Sequence, residues 1–274
     1  MERNIENLKK TADQLRLDVV KMVHDAGDGH PGPAMSALDI ITSLFFHELN
    51  VDAKNPKWED RDRFILSKGH ACPGLYAALA RKGYFSVNEF AGLRTLGSIL
   101  QGHPTMQKTP GIDMTSGSLG NGLPIGTGMA IAAKYNKKNY YTYVILGDGE
   151  IQEGIVWEAA MCAKRYRLDN LIAFIDHNGW QSGGSVEEVS GLLPIKEKWE
   201  AFGWYVQEID GHDYHQILDA IDHAKKQKGK PSMIVARTIK GKGIDYMEND
   251  NSWHKRVPDD AQLARAIELL GGEA

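Results

Sequence analysis

Two apolar, β-branched runs, residues 140–146 and 171–175, end on Gly147-Asp148-Gly149 and on Asp176-His177-Asn178. A short apolar run closed by turn-forming residues reads as a strand buried on both faces. The stretch between them, residues 152–166, carries helical spacing. Strand, helix and strand of this length make a right-handed parallel crossover. Both polar tripeptides then fall at the carboxyl ends of neighbouring strands, where doubly wound sheets gather their ligands.

The rest of the chain repeats the alternation. Apolar spacing predicts helices over residues 3–25, 33–47, 123–135, 214–226 and 261–270, and another ending near residue 81. Further strands are expected at 63–67, 205–209 and 233–237. Ser86-Val87-Asn88-Glu89 has the spacing of a capping box and predicts a short helix. Residues 96–128 are glycine-rich, and much of this segment is irregular; long irregular segments inside compact domains are usually functional. The expected fold class is α/β, a doubly wound, mainly parallel sheet with helices on both faces. No Pro/Ser-rich linker or repeat divides the 274 residues, so a single domain over 1–274 is expected.

Composition excludes some partners. The 36 acidic and 32 basic residues leave a net charge of −4, which argues against a nucleic-acid or anionic-membrane surface. Cys72 and Cys162 lie in no metal-ligand spacing, and so low a cysteine usage fits a reducing, cytoplasmic setting. Residues 1–10 are too polar for a signal peptide, and no apolar stretch nears the ~20 residues that span a bilayer.

The strand-end residues carry chemistry. Asp148 offers a carboxylate and Asn178 an amide oxygen, with glycine beside each. Hard oxygen ligands at such a place suit Mg²⁺ carrying a diphosphate. Each motif alone is also an ordinary turn sequence; the pairing favours a ligand. Histidines follow glycine in Gly29-His30-Pro31-Gly32, Gly69-His70, Gly102-His103-Pro104 and Gly211-His212. Imidazoles grouped at one mouth suit proton transfer near neutral pH. His24, His47, His215 and His223 read as surface or helix-packing residues and His212 as structural. His177 should point to the opposite face from the ligand-bearing side. Gly126-Thr127-Gly128 lacks the preceding strand and third glycine of a dinucleotide fingerprint. Lys240-Gly241-Lys242-Gly243 is basic and glycine-rich but is no Walker loop.

Gly147-Asp148-Gly149 with Asn178 about thirty residues on resembles the signature of thiamin-diphosphate enzymes. Together with the Gly-His loops, Ser67-Lys68-Gly69-His70, Thr115-Ser116-Gly117-Ser118-Leu119-Gly120-Asn121-Gly122, Asp210-Gly211-His212-Asp213 and Lys230-Pro231-Ser232, the chain resembles the N-terminal, diphosphate-binding half of transketolases. The resemblance implies thiamin diphosphate and Mg²⁺ or Ca²⁺ as cofactors. It makes Asp148, Asn178 and the carbonyl of Trp180 the metal ligands. Gly117, Ser118, Leu119, Gly147, Gly149, Glu150, His70 and His254 become cofactor contacts. His30 and His103 would bind sugar hydroxyls and assist proton transfer, His70 and His254 would stand by the reactive end, and Glu153 would couple sites across the assembly. The resemblance also implies that residues 240–243 form a mobile flap near the phosphates.

In that family the acid that activates the cofactor ring lies on a pyrimidine domain, which this sequence does not match. The resemblance therefore implies a partner: a C-terminal subunit carrying the pyrimidine domain, in an α2β2 assembly acting on sugar phosphates. The soft C-terminal sequence Gly271-Gly272-Glu273-Ala274 favours a natural split subunit over a truncated chain. Deoxyxylulose-phosphate synthase, a 2-oxoacid dehydrogenase component and a non-catalytic homologue are the alternatives.

Overall fold

The computed structural model describes residues 3–272, so the last two residues of the C-terminal tetrapeptide lie outside it. The chain begins with helices α1 (Ile5–Ala26) and α2 (Pro31–Ser43), strand β1 (Arg63–Leu66) and helices α3 (Cys72–Lys82) and α4 (Gly122–Tyr135). Strand β2 (Thr142–Gly147), helix α5 (Gly154–Arg165) and strand β3 (Leu171–His177) follow. A small hairpin, β4 (Trp180–Gln181) and β5 (Gly184–Ser185), leads to helices α6 (Val186–Ser190) and α7 (Ile195–Ala201). Strand β6 (Tyr205–Asp210), helix α8 (Tyr214–Lys226), strand β7 (Ser232–Arg237) and helix α9 (Asp260–Leu269) complete it.

Among the described residues the main sheet is parallel throughout, in the order β1-β2-β3-β7-β6. The chain steps outward from β1 to β3, then crosses to the far edge and returns through β7. The reversal lies between β3 and β7, and that border is the switch point at which ligands collect. Register pairs Gly147 with Asp176. The two motifs therefore stand side by side, as the sequence predicts.

Both faces of the sheet are covered because its residues alternate between two cores. Phe64, Leu66, Tyr143, Ile145, Ile172, Phe174, Ile234 and Ala236 pack with α1, α2, α3 and α8. Ile65, Val144, Leu146, Ala173, Ile175, Met233 and Val235 pack with α4, α5 and α7. Glycine lets α4 approach: a Cβ on Gly122 would sit 2.2 Å from Ser67 Oγ, and one on Gly126 would sit 2.7 Å from a Val144 methyl.

Local departures have local causes. Ser86 Oγ accepts from Asn88 N at 3.2 Å and starts a 3-10 turn, so the expected capping box does not form. A reciprocal box forms instead at Asp259 and Gln262, before α9. The helix expected over 152–166 forms as α5 over Gly154–Arg165; a 3-10 turn, Gly149–Gln152, and an extended Glu153 with ψ 128° precede it. Residues 240–243 are packed rather than a free flap. Lys240 is fully buried, and Gly241 N donates to Gly32 O at 3.1 Å.

Helix α2 is buried along its whole length, and its Asp39 ties three helices and a loop together. The carboxylate accepts from Arg16 Nη2 at 2.7 Å, His212 Nδ1 at 2.7 Å and Tyr214 OH at 2.6 Å. His212 Nε2 accepts from Ile239 N at 2.8 Å, which fixes the proton on Nδ1 and confirms a structural role. Burial pushes the Asp39 carboxyl up, but Arg16 and His212 outweigh it and hold it far below the usual range. Removing one member leaves buried charge uncompensated. Asp39→Ala should cost about 3–5 kcal/mol of stability in urea denaturation; a loss below about 1 kcal/mol, the worth of an exposed pair, would contradict the hub.

Candidate functional site

The carboxyl ends of β2 and β3 open into a cavity of about 440 Å³ lined by His30, Lys68, His70, Asp148, Asn178 and Lys240, among others. A larger groove of about 580 Å³ lies beside the ends of β6 and β7 but contains neither strand-end motif.

Asp148 is 2% exposed, and backbone fixes its carboxylate. Oδ1 accepts from Gly149 N at 2.8 Å and Oδ2 from Gly179 N at 2.7 Å. His177 Nδ1 also reaches Oδ2, at 3.2 Å. The expectation that His177 faces away is therefore wrong: β3 runs two residues beyond its apolar stretch, and Gly179, with φ +79°, folds the chain back beneath the ring. Asn178 Oδ1 accepts from Trp180 N at 3.0 Å, and its Nδ2 donates to Ser36 Oγ at 3.2 Å. Trp180 lines the same cavity.

The donor set fits a hard divalent cation bound together with an anion. It offers one carboxylate, one amide oxygen and a backbone carbonyl. Among the described residues no cluster of three or more His, Cys, Asp or Glu side chains could enclose a metal by itself. A cation with octahedral preference would complete its shell with phosphate or water. Gly149 lets β4 pack directly over this turn: a Cβ there would sit 2.8 Å from Gln181 Cβ.

Three histidines converge above these oxygens. Ring centroids are 5.3 Å apart for His30 and His70, 5.6 Å for His30 and His254, and 5.3 Å for His70 and His254. His103 is outside the cavity lining but packs by Gly117, its ring 3.6 Å from where a Cβ there would lie. Burial, then Arg94 and Lys255, lower the His30 imidazole to about 4. Burial, then Lys240, lowers His254 to about 4. His70 and His103 shift the same way, burial again leading. All four rings are thus neutral near pH 7, able to donate through one nitrogen and accept through the other. Among the described residues no group bonds the buried His30 Nδ1, as expected of a nitrogen that receives a ligand group.

Lysines are the contributors that sequence reasoning underweighted. Lys68 is 2% exposed and paired with Asp176. Lys240 Nζ donates to Asn251 Oδ1 at 2.6 Å and to His254 Nδ1 at 3.0 Å. Burial, then Lys68, lowers the Lys240 ammonium to about 8. Their places after a strand and within a Gly-Lys run were the only signals. Other expected contacts divide. Gly117, Leu119, Gly147, Gly149 and Glu153 line the cavity, whereas Ser118 is exposed outside it. Glu150 also lines it, and its carboxylate accepts from Ser67 Oγ, Gly120 N and Gly147 N, which braces the loop. Leu119, which lines the cavity, and Ile155, which packs with Glu153 against Gly120, are exposed apolar side chains.

Residues 7–273 match the family model described as the thiamine diphosphate binding domain of transketolase. The chain belongs to the transketolase family. It is 45% identical to the 6-deoxy-6-sulfo-D-fructose transketolase subunit SqwG of Clostridium sp. (strain MSTE9), with 96% of each chain covered. It is 42% identical to an apulose-4-phosphate transketolase subunit of Phocaeicola vulgatus, covering 96% of this chain and 93% of that one. The Campylobacter jejuni transketolase structure superposes with a TM-score of 0.94 at 34% identity, covering 99% of this chain. The chain spans 44% of that longer transketolase. It is a transketolase subunit corresponding to the N-terminal, thiamin-diphosphate-binding part of the longer enzymes.

The lowered imidazoles set a sign for pH dependence. His30 and His254 fall from 6.5 to about 4 on folding, so between those values the unfolded chain binds more protons. Their contribution to stability is present above pH 6.5 and is lost as pH falls toward 4. Urea denaturation from about pH 7 to about pH 4 should therefore show stability falling, with a shallower fall in His254→Gln; an unchanged slope in that variant would contradict the assignment.

Proposed function

We propose that the chain holds thiamin diphosphate by its anionic end through Mg²⁺ or Ca²⁺ and transfers a two-carbon ketol unit from a ketose to an aldose only with a partner. The observation that carries this reading is one cavity in which Asp148 and Asn178 oxygens meet the neutral His30, His70 and His254 cluster. Asp148, Asn178 and the Trp180 carbonyl would take the cation, and Lys240 and Lys68 would attract the diphosphate. When bound, thiamin diphosphate supplies the electron sink for cleaving and forming the carbon–carbon bond.

The chain's own residues bind, orient and move protons. The unpartnered Nδ1 of His30 is placed to bond a sugar hydroxyl, and its neutral ring can take that hydroxyl's proton. His103 stands behind Gly117 to serve the same end of the substrate. Lys240 bonds His254 Nδ1, leaving the proton of that ring on Nε2, where it can be donated into the cavity.

The partner we propose is a C-terminal transketolase subunit carrying the pyrimidine domain, arranged α2β2, with residues 1–274 acting as a single diphosphate-binding domain. Two relatives are named as subunits and covered nearly end to end. The exposed Leu119 and Ile155 beside Glu153 offer a surface for that partner. Those relatives are named for a sulfo-sugar and a sugar phosphate, so we take an anionic ketose as the substrate class. Two free cysteines accord with a cytoplasmic setting.

The test is a thiamin-diphosphate-dependent ketol-transfer assay of the chain co-purified with its partner. Asp148→Ala should abolish turnover, and retained cofactor-dependent turnover in that variant would contradict the metal assignment. His30→Ala should lower kcat/KM by roughly 100-fold; a change below about twofold, worth only ~0.4 kcal/mol, would remove it from proton transfer.

A further inference from the structure

Ser36 is fully buried in α2, yet its hydroxyl meets groups from two other segments, the end of β3 and the turn after β1. Oγ lies 2.6 Å from Asp176 Oδ2, 3.2 Å from Asn178 Nδ2, 3.5 Å from Lys68 Nζ and 3.2 Å from Pro33 O. A hydroxyl has one proton and two lone pairs. The shorter, charge-assisted bond to the carboxylate takes that proton in preference to the Pro33 carbonyl. The Lys68 ammonium is paired with that same carboxylate, and its other oxygen receives the Thr238 hydroxyl, so Asp176 presents acceptors to Ser36. With its proton aimed at Asp176, Ser36 shows only lone pairs to Lys68 and Asn178. The end of the Asn178 amide that meets it must therefore be the NH₂.

The consequence falls on the oxygen. An asparagine amide has two ends of nearly the same shape, and only one can bind a cation. With Nδ2 held by Ser36, Oδ1 is left with Trp180 N at 3.0 Å and a remaining lone pair for the cavity. The reverse orientation would turn two N–H donors toward the cation and leave Asn178 Oδ1 against the lone pairs of Ser36. We propose that Ser36 is a positioning residue for the metal site, relaying the Lys68–Asp176 charge to Asn178 and, together with the Trp180 backbone N–H on Oδ1, fixing which end of its amide faces the cation.

This rests on the metal assignment above, so the experiment separates the two. The full chain is titrated with Mn²⁺ in the presence of thiamin diphosphate, with free Mn²⁺ read by electron paramagnetic resonance. Ser36→Ala should weaken Mn²⁺ binding by on the order of tenfold. In an Asn178→Asp background both ends of the side chain are oxygens, so adding Ser36→Ala should change affinity by less than about twofold. A role confined to packing would lower affinity equally in both backgrounds, and that result overturns the relay, as does unchanged affinity in Ser36→Ala alone. If Ser36→Ala does not fold, Ser36→Gly deletes the same hydroxyl and is read by the same criteria. Absence of Mn²⁺ binding to the unaltered chain overturns the metal assignment and the relay with it.

Discussion

A buried ammonium–carboxylate pair, Lys68 with Asp176, underlies the whole cavity. Asp176 ends β3, and its two oxygens also receive the hydroxyls of Ser36 from α2 and Thr238 from beyond β7. Lys68 follows β1. Four segments far apart in sequence are thus fastened to one carboxylate directly beneath the metal-ligand candidates. Two charges taken out of water are stable only while each keeps its partner and its remaining hydrogen bonds. The strand ends are therefore held in one arrangement, and the residues above them inherit their positions.

Charge in the cavity follows from that base. Lys68 and Lys240 are buried near each other, and the four histidines give up their protons in response to burial and to these and neighbouring cations. The result is a site with fixed positive charge below and neutral imidazoles above. Such a site favours an anion at its floor and a hydroxyl-rich molecule at its mouth. Glu153, displaced from the start of α5 into extended backbone, and the exposed Leu119 and Ile155 mark the rim where a partner would complete it.

The strands and the adjacency of the two motifs were legible in the sequence because buried parallel strands are nearly pure apolar runs and glycine marks their ends. His30 and His70 were legible because each follows a glycine in a loop at that end of the sheet, whereas His254 follows Trp253 and came only from the resemblance to the family. The polar network was not. Ser36, Lys68 and Asp176 are separated by dozens of residues, and no local spacing announces that they meet; Asp176 reads only as a neighbour of Asn178. The bracing of the loop by Glu150 was hidden for the same reason, since its partners Ser67 and Gly120 are distant in sequence. His177 departs from expectation because strand alternation does not extend past the point where Gly179 turns the chain. The capping box at Ser86 fails because a 3-10 turn brings Asn88 N, not Glu89 N, to the serine hydroxyl.

The central claim is that this chain grips the diphosphate of its cofactor through a divalent cation. Calorimetric titration of the isolated chain with inorganic diphosphate, in Mg²⁺ and again in EDTA, tests it most directly. Binding that requires Mg²⁺ and disappears in EDTA is the expected result. Diphosphate binding of equal strength in EDTA, or none in either condition, would contradict it.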